Sequence, residues 1–260
     1  MLLTRYFTVV FMLFLASTMG LAQQKTYLYA NTLDSSQGYY LTYKAAIPNH
    51  KAVIVCPGGG YSHVAMDHEG KMVGDWLSGQ GYDVYVVRYR VSVKDEKYYY
   101  PTQLNDVKEV AKIVGSQYKT FGVMGFSAGG HLAGSYLTDK SNKASFGILM
   151  YPVISTDSSF WHRGSFNNLL GPDYRNLATD RYSIDKNIGR KTPPLFFVHC
   201  TDDKAVPVKN SEVAFAASKK YQPLSEMHIF PEGGHGFGMR PVNDSLAVWR
   251  GLLQQWLLNF

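Results

Sequence analysis

Two textures of apolar residues divide the chain. Near the start, "KTYLYA" (25–30) and "GYYLTYKAAI" (38–47) alternate apolar with polar residues and are rich in tyrosine. Side chains in a strand point to opposite faces in turn, so this pattern predicts two half-exposed strands of an antiparallel edge. Beyond them the apolar residues come in short unbroken runs: "AVIVC", "YDVYVVRY", "TFGVMGF", "SFGILMY" and "PLFFVHC". Such runs are the signature of strands buried on both faces. Helix-like segments fall between most of them, at Gly70 to Ser78, Thr102 to Val114, Ala128 to Leu137 and Val208 to Tyr221. "LSEMHIF" adds a late strand, and "NDSLAVWRGLLQQWLLNF" ends the chain as an amphipathic helix. Strands alternating with helices predict an α/β fold with a mostly parallel sheet covered on both faces. One stretch breaks the alternation: 155–194 is polar and rich in Asn, Asp, Arg and Gly. A connection of that length reads as an excursion over the carboxyl edge of the sheet, where ligands bind in open α/β folds.

Composition changes this picture little. With 260 residues, 45% apolar and 18% charged, the chain has material for a full core. The formal charge of +6 comes from scattered bases. There is no Lys/Arg run of the kind that binds nucleic acid. The first 22 residues stand apart. Arg5, the apolar "YFTVVFMLFLA" and the small-residue "MGLA" have the layout of a secretory signal cleaved after Ala22. The apolar part is shorter than the roughly 20 residues of a spanning helix. Cleavage therefore leaves a catalytic domain of 23–260 with no membrane span, and an exported protein, periplasmic or extracellular, is expected.

The chemistry is concentrated in "GFSAG", Gly125 to Gly129, which fits G-x-S-x-G between a buried-type strand and a helix-type segment. In that setting the serine occupies a strained turn with its hydroxyl raised above the sheet. A serine hydroxyl is a weak nucleophile until a base takes its proton and an acid orients the base. The partners follow in the order Ser, Asp or Glu, His. "TDDKAVPVKNS" comes after the strand "PLFFVHC", and "PEGGHGFG" after "LSEMHIF". Ser127 is thus the expected nucleophile and His235, framed by glycines, the expected base. Asp203 is favoured over its neighbour Asp202, which would be solvated or cap the turn. His199 reads as a buried hydrogen-bonded residue, and His131 as packing on the helix after the nucleophile. Asp106 belongs near a helix start. His50, His63, His68, His162 and His228 read as structural or surface residues. An oxyanion hole needs backbone N–H donors. The "CPGGGYSH" stretch supplies Gly58, Gly59 and Gly60 after the strand "AVIVC". The expected donors are the amides of Gly59 or Gly60, and of Ala128. A phosphate cradle is excluded, because neither G-K-[ST] nor G-x-G-x-x-G is present.

Taken with "HEG" (68–70), "VVRYRV", "YPTQLNDV" and "GSFNNLLGP", these motifs span nearly all of the mature chain. The chain resembles the α/β-hydrolase superfamily, and within it the secreted bacterial acetyl-xylan-esterase-like carbohydrate esterases. Two departures stand out: Pro57 where lipase-type relatives carry histidine, and no Pro-Glu after "YRV". The resemblance implies a central sheet of about eight strands, with a lid-like excursion between the sixth and seventh. It implies a Ser127–His235–Asp203 triad that needs no metal or cofactor. The implied substrate is an acylated sugar or polysaccharide such as acetylated xylan. Phe160, Trp161 and Tyr174 on the excursion could stack on a sugar ring or simply pack it down. Two other readings fit the same residues: an amide hydrolase of the prolyl-oligopeptidase kind, and a non-catalytic carbohydrate-binding descendant. In the usual strand order of this fold, two strands separate Cys56 from Cys200. At ~4.8 Å per strand that is about 14 Å, and a disulfide needs Cα atoms within about 7 Å. Both thiols are expected to be free.

Overall fold

The computed structural model describes residues 23–29, 38–92, 97–172 and 179–260. The expected signal segment, 1–22, lies outside them, as does Tyr174. Among the described residues the strands are β1 (Gln24–Tyr27), β2 (Tyr39–Tyr43), β3 (Lys51–Cys56), β4 (Asp83–Arg88), β5 (Thr120–Phe126), β6 (Phe146–Met150), β7 (Leu195–Cys200) and β8 (Glu226–Phe230). They form one sheet in the order β1-β2-β4-β3-β5-β6-β7-β8. β1 and β2 are antiparallel to their neighbours, and every pairing from β4 to β8 is parallel. Each apolar run became a strand of this parallel part.

The helices are α1 (Met72–Gly79), α2 (Thr102–Gln117), α3 (Ser127–Leu137), α4 (Arg163–Leu170), α5 (Ile184–Asn187), α6 (Lys209–Lys219), α7 (Asp244–Ala247) and α8 (Trp249–Leu257). They divide the core in two. On one face α2, α3, α5 and α6 close over Ile54, Tyr85, Val123, Leu149 and Phe197. On the other, α1, α7 and α8 cover Val53, Val55, Val84, Met124 and Ile148. The strand residues alternate between the two clusters, as the two-residue period of a strand requires. Each fully buried Val, Ile or Leu contributes about 1.5–3 kcal/mol, so both faces need their helices. Among the described residues no helix is long and apolar enough to cross a membrane.

Three expectations need correction. β2 is not half-exposed. Tyr40, Leu41, Thr42 and Tyr43 are all buried, because β2 is paired on both edges and α1 lies over it. A Cβ at Gly74 of α1 would sit 2.6 Å from the Tyr43 ring. Only β1 keeps the half-exposed character. The closing helix is broken into α7 and α8, with Asn243 capping α7 by accepting the Leu246 N–H at 2.7 Å. The segment read as a helix from Gly70 instead begins as a wide turn, Asp67–Lys71, that runs into α1. The cysteines agree with expectation: β5 and β6 lie between β3 and β7, and both thiols are buried and free.

Asp106 sits in the second turn of α2, fully buried, and pairs with Arg90 at 2.7 Å while accepting the Tyr29 hydroxyl at 2.7 Å. His131, on α3, is 1% exposed. Its Nε2–H donates to the Tyr182 carbonyl at 2.7 Å, so Nδ1 accepts the Tyr61 hydroxyl at 2.9 Å. Burial pushes its pKa down to about 4, against a smaller upward pull from the Tyr182 carbonyl. Between pH about 6.5 and 4 the unfolded chain therefore binds a proton that the folded one refuses. Stability should fall as pH drops through that window, by about 3 kcal/mol from this group. Urea unfolding at pH 7 and pH 4.5 checks this: His131→Gln should lose less stability between the two than the unsubstituted chain. An equal loss would remove His131 as the cause.

Candidate active site

Five loops meet at the carboxyl edge of the sheet. The turn after β5 is the tightest. Ser127 has φ +52°, a left-handed conformation that is strained for a residue with a side chain. The Val153 N–H donates to its carbonyl at 3.0 Å and fixes the bend. Two residues later, a Cβ on Gly129 would lie 2.1 Å from the Cys56 carbonyl oxygen and 2.3 Å from that of Pro57. Only glycine lets α3 approach the end of β3 so closely.

Ser127 Oγ is 2.8 Å from His235 Nε2. The Nδ1–H on the other side of the ring donates to Asp203 Oδ2 at 2.7 Å. The three residues come from the loops after β5, β8 and β7, and the fold brings all three together. Asp203 is buried, with Oδ1 accepting the N–H groups of Ala205 and Val206, each at 2.9 Å. Burial opposes its charge. Hydrogen bonds from His199 and His235 outweigh that and hold the carboxyl well below the usual range. His199 Nε2–H is shared between the Val206 carbonyl at 2.9 Å and Asp203 Oδ2 at 3.2 Å, while Nδ1 accepts the Ser211 hydroxyl at 2.8 Å. His199 is buried and hydrogen-bonded, as expected, but it is also a second donor to the same carboxylate. Asp202 points the other way and caps the histidine loop, accepting the N–H groups of Gly234 at 2.8 Å and Gly233 at 3.2 Å.

The glycine loop after β3 closes the other side. Gly59 has φ +124°, and a Cβ there would lie 2.2 Å from the His63 carbonyl oxygen. Gly59 and Gly60 line the pocket with Ser127, and Ala128 follows Ser127 in the open first turn of α3. Gly58 is different: its N–H donates to Glu69 Oε2 at 2.7 Å. Glu69 is 3% exposed. Its other oxygen accepts the Tyr151 hydroxyl at 2.7 Å, and that hydroxyl accepts the Gly238 N–H at 2.8 Å. Tyr151, directly after β6, packs its ring edge-on to the His235 imidazole, with centroids 5.0 Å apart. One carboxylate thus ties the glycine loop to the histidine loop. Further ties come from the Tyr89 hydroxyl to the Pro57 carbonyl at 2.8 Å, and from Asn168 Nδ2 to the Gly60 carbonyl at 2.8 Å.

The pocket over Ser127 has a volume of about 400 Å³. Three histidines assigned above to structural or surface roles line it: His63, His68 and His162. None is in the relay, as expected. They were missed as pocket residues because neither periodicity nor a motif marks a loop histidine that a fold turns inward. His50 and His228 lie away from it. Among the described residues of the excursion the wall is built by His162, Gly164 and Asn168, and neither Phe160 nor Trp161 lines it. Trp161 stacks on Phe166, with centroids 6.2 Å apart, and the Phe160 carbonyl accepts from Asn210 at 2.9 Å. Glu69 stood in the "HEG" motif without a role, and Tyr151 gave no signal beyond ending its strand. Among the described residues no group of three or more His, Cys, Asp or Glu is placed to hold a metal ion.

Strand order, elbow and late-loop partners together define an α/β hydrolase. The profile of the prolyl oligopeptidase family matches residues 76–258, and the chain belongs to that family. The acetylxylan esterase of Xylanibacter ruminicola is 32% identical over 240 residues, which are 87% of this chain and 49% of the relative. The endo-1,4-beta-xylanase B of Butyrivibrio fibrisolvens is 29% identical over 221 residues, 76% of this chain and 34% of the relative. The chain spans about half the length of the first and about a third of the second. Among solved structures, an acetyl ester-xyloside bifunctional hydrolase from Caldicellulosiruptor lactoaceticus superposes with a TM-score of 0.78 at 31% identity, covering 91% of this chain and 96% of that one.

Glu69→Leu should strand the Gly58 N–H and the Tyr151 hydroxyl. Each buried orphan costs about 1–3 kcal/mol, so a loss of about 3 kcal/mol in urea unfolding is expected. A loss under about 1 kcal/mol would mean that the carboxylate does not tie the two loops.

Proposed function

We infer that the protein is a serine carboxylesterase that removes small acyl groups, acetyl above all, from a carbohydrate such as acetylated xylan. The observation that carries this reading is the Ser127–His235–Asp203 relay, with contacts of 2.8 and 2.7 Å, at the base of an open pocket. The names of the relatives support the ester and the sugar.

In this mechanism Ser127 Oγ attacks the ester carbonyl as His235 Nε2 takes its proton. Asp203 stays ionised, holds the ring in the tautomer with hydrogen on Nδ1, and stabilises the imidazolium. The amides of Gly59 or Gly60, with that of Ala128, bind the oxyanion. Each such donor is worth roughly 3–4 kcal/mol in the transition state. His235 then protonates the leaving alcohol. Water, activated by the same ring, attacks the acyl-enzyme and releases the acid. The chain's own groups suffice for each proton and charge. The reading also takes the 1–22 segment as an export signal that is removed, which suits a polymeric substrate outside the cytoplasm.

The family's name favours a second reading, hydrolysis of peptide amides. An exopeptidase needs an acidic group free to bind the substrate amine. The buried carboxylate lining the pocket, Glu69, already accepts from Gly58 and Tyr151 through its two oxygens. Ester hydrolysis is therefore preferred.

The test is p-nitrophenyl acetate and butyrate against an aminoacyl p-nitroanilide. Acetate should be released fastest, butyrate more slowly and the anilide hardly at all. Ser127→Ala and His235→Ala should each lower kcat by at least about a thousandfold, and Asp203→Asn by about 10³–10⁴-fold. Cleavage of the anilide alone would replace the esterase reading with the peptidase one.

A further inference from the structure

The glycine loop ends in strain. Gly59 and Gly60 have φ +124° and +62°, and Tyr61 follows with φ +59°. Glycine adopts such angles freely. A tyrosine does not, and keeps them only where its surroundings impose them. Here the side chain is what is held. Tyr61 is 1% exposed, and its ring packs edge-on against Tyr89 and against His131, with centroids 6.0 Å apart in each pair. Its hydroxyl lies 2.9 Å from His131 Nδ1. The far side of the imidazole fixes the direction of that bond. Nε2 faces the Tyr182 carbonyl at 2.7 Å. A carbonyl oxygen only accepts, so in the neutral ring the hydrogen is on Nε2, and Nδ1 is left to accept from Tyr61.

The strain bears on one peptide group. The φ of Tyr61 is the rotation between the Gly60–Tyr61 peptide and a Cα that the buried ring anchors. The carbonyl of that same peptide accepts from Asn168 Nδ2 at 2.8 Å. Both holds start in the 155–194 excursion, since Asn168 is on α4 and Tyr182 lies between α4 and α5. His131 is on α3, the helix that begins at Ser127. Among the described residues the amides of Gly59 and Gly60 donate to no protein group. We propose that His131 is a positioning residue for the glycine loop: through the Tyr61 hydroxyl it holds the Gly60–Tyr61 peptide in its left-handed turn and keeps the unpaired amides of Gly59 and Gly60 in place for the oxyanion. This rests on the esterase reading above, in which that loop supplies the oxyanion donors. It gives the excursion a part in the reaction that needs no contact with substrate. Once the hydroxyl bond is removed, Tyr61 can relax toward the ordinary negative φ and swing the peptide. The loss falls on the transition state, because the oxyanion exists only there.

The experiment measures p-nitrophenyl acetate hydrolysis, inhibition by phenyl trifluoromethyl ketone, and melting temperature. Ser127 Oγ adds to the ketone carbonyl, its proton passes to His235, and the carbonyl oxygen becomes an anion where the oxyanion would lie. Tyr61→Phe removes one oxygen and keeps the ring. It should lower kcat about tenfold, a part of the roughly hundredfold or more that one oxyanion donor supplies. KM should stay within about twofold, and the Ki of the ketone should rise by the same factor as kcat falls. His131→Gln sets its amide nearer the Nε2 position and withdraws the acceptor, so it should match Tyr61→Phe. The double variant should lose no more than either alone. His131→Asn sets its carboxamide oxygen nearer the Nδ1 position. It gives up the Tyr182 bond and keeps the acceptor, so kcat should stay within about threefold of the unsubstituted protein. Unchanged kcat in Tyr61→Phe, losses that add in the double variant, or losses that follow melting temperature with His131→Asn no better than His131→Gln would overturn the assignment and leave the esterase reading standing. Failure of the unsubstituted protein on p-nitrophenyl acetate would overturn both.

Discussion

The approach of α3 to the end of β3 is the constraint on which the site depends. With hydrogen alone on the Gly129 Cα, the helix rests against the Cys56 and Pro57 carbonyls. That contact sets Ser127 in its left-handed turn and brings its hydroxyl beside the glycine loop. The separation of the Ser127 backbone from the glycine loop is thereby decided by backbone packing, not by side-chain rotamers. Everything else at the carboxyl edge adds restraint to that contact. Tyr89, Glu69 and Asn168 each hold one peptide group of the glycine loop, and they come from three different parts of the chain.

The His235–Asp203 half is restrained differently. Asp203 accepts from two backbone amides and two imidazoles, so its charge is solvated by the protein instead of water. The cost of burying a carboxylate is met by donors that are already in place. Tyr151 then connects the halves, since its hydroxyl belongs to the Glu69 network and its ring packs on His235.

The alternation of apolar runs with helical segments made the parallel sheet legible. The elbow serine and its late-loop partners were legible because G-x-S-x-G and chain order carry their own geometry. β2 was misjudged as half-exposed because alternation reports which faces differ, not how much a tyrosine ring is covered by a helix laid over it. Glu69, Tyr151 and the three pocket histidines were not legible, since their roles arise only when loops distant in sequence converge. The Gly58 amide shows the same limit. The motif offers three equivalent glycines, and only the folded loop shows that one amide is already engaged by a carboxylate.

Among the described residues β8 is the last strand of the sheet and pairs only with β7. The His199–Asp203–Ser211 cluster is complete within the β7–α6 unit, whereas His235 arrives on the loop that follows β8. An outer strand can detach at lower free energy than an inner one, without global unfolding. The relay is therefore joined across a seam in the molecule's cooperativity. A brief lifting of this margin would part His235 from Asp203 while leaving Ser127, the glycine loop and Asp203 assembled, so on warming the contacts of His235 would be lost before the rest of the fold.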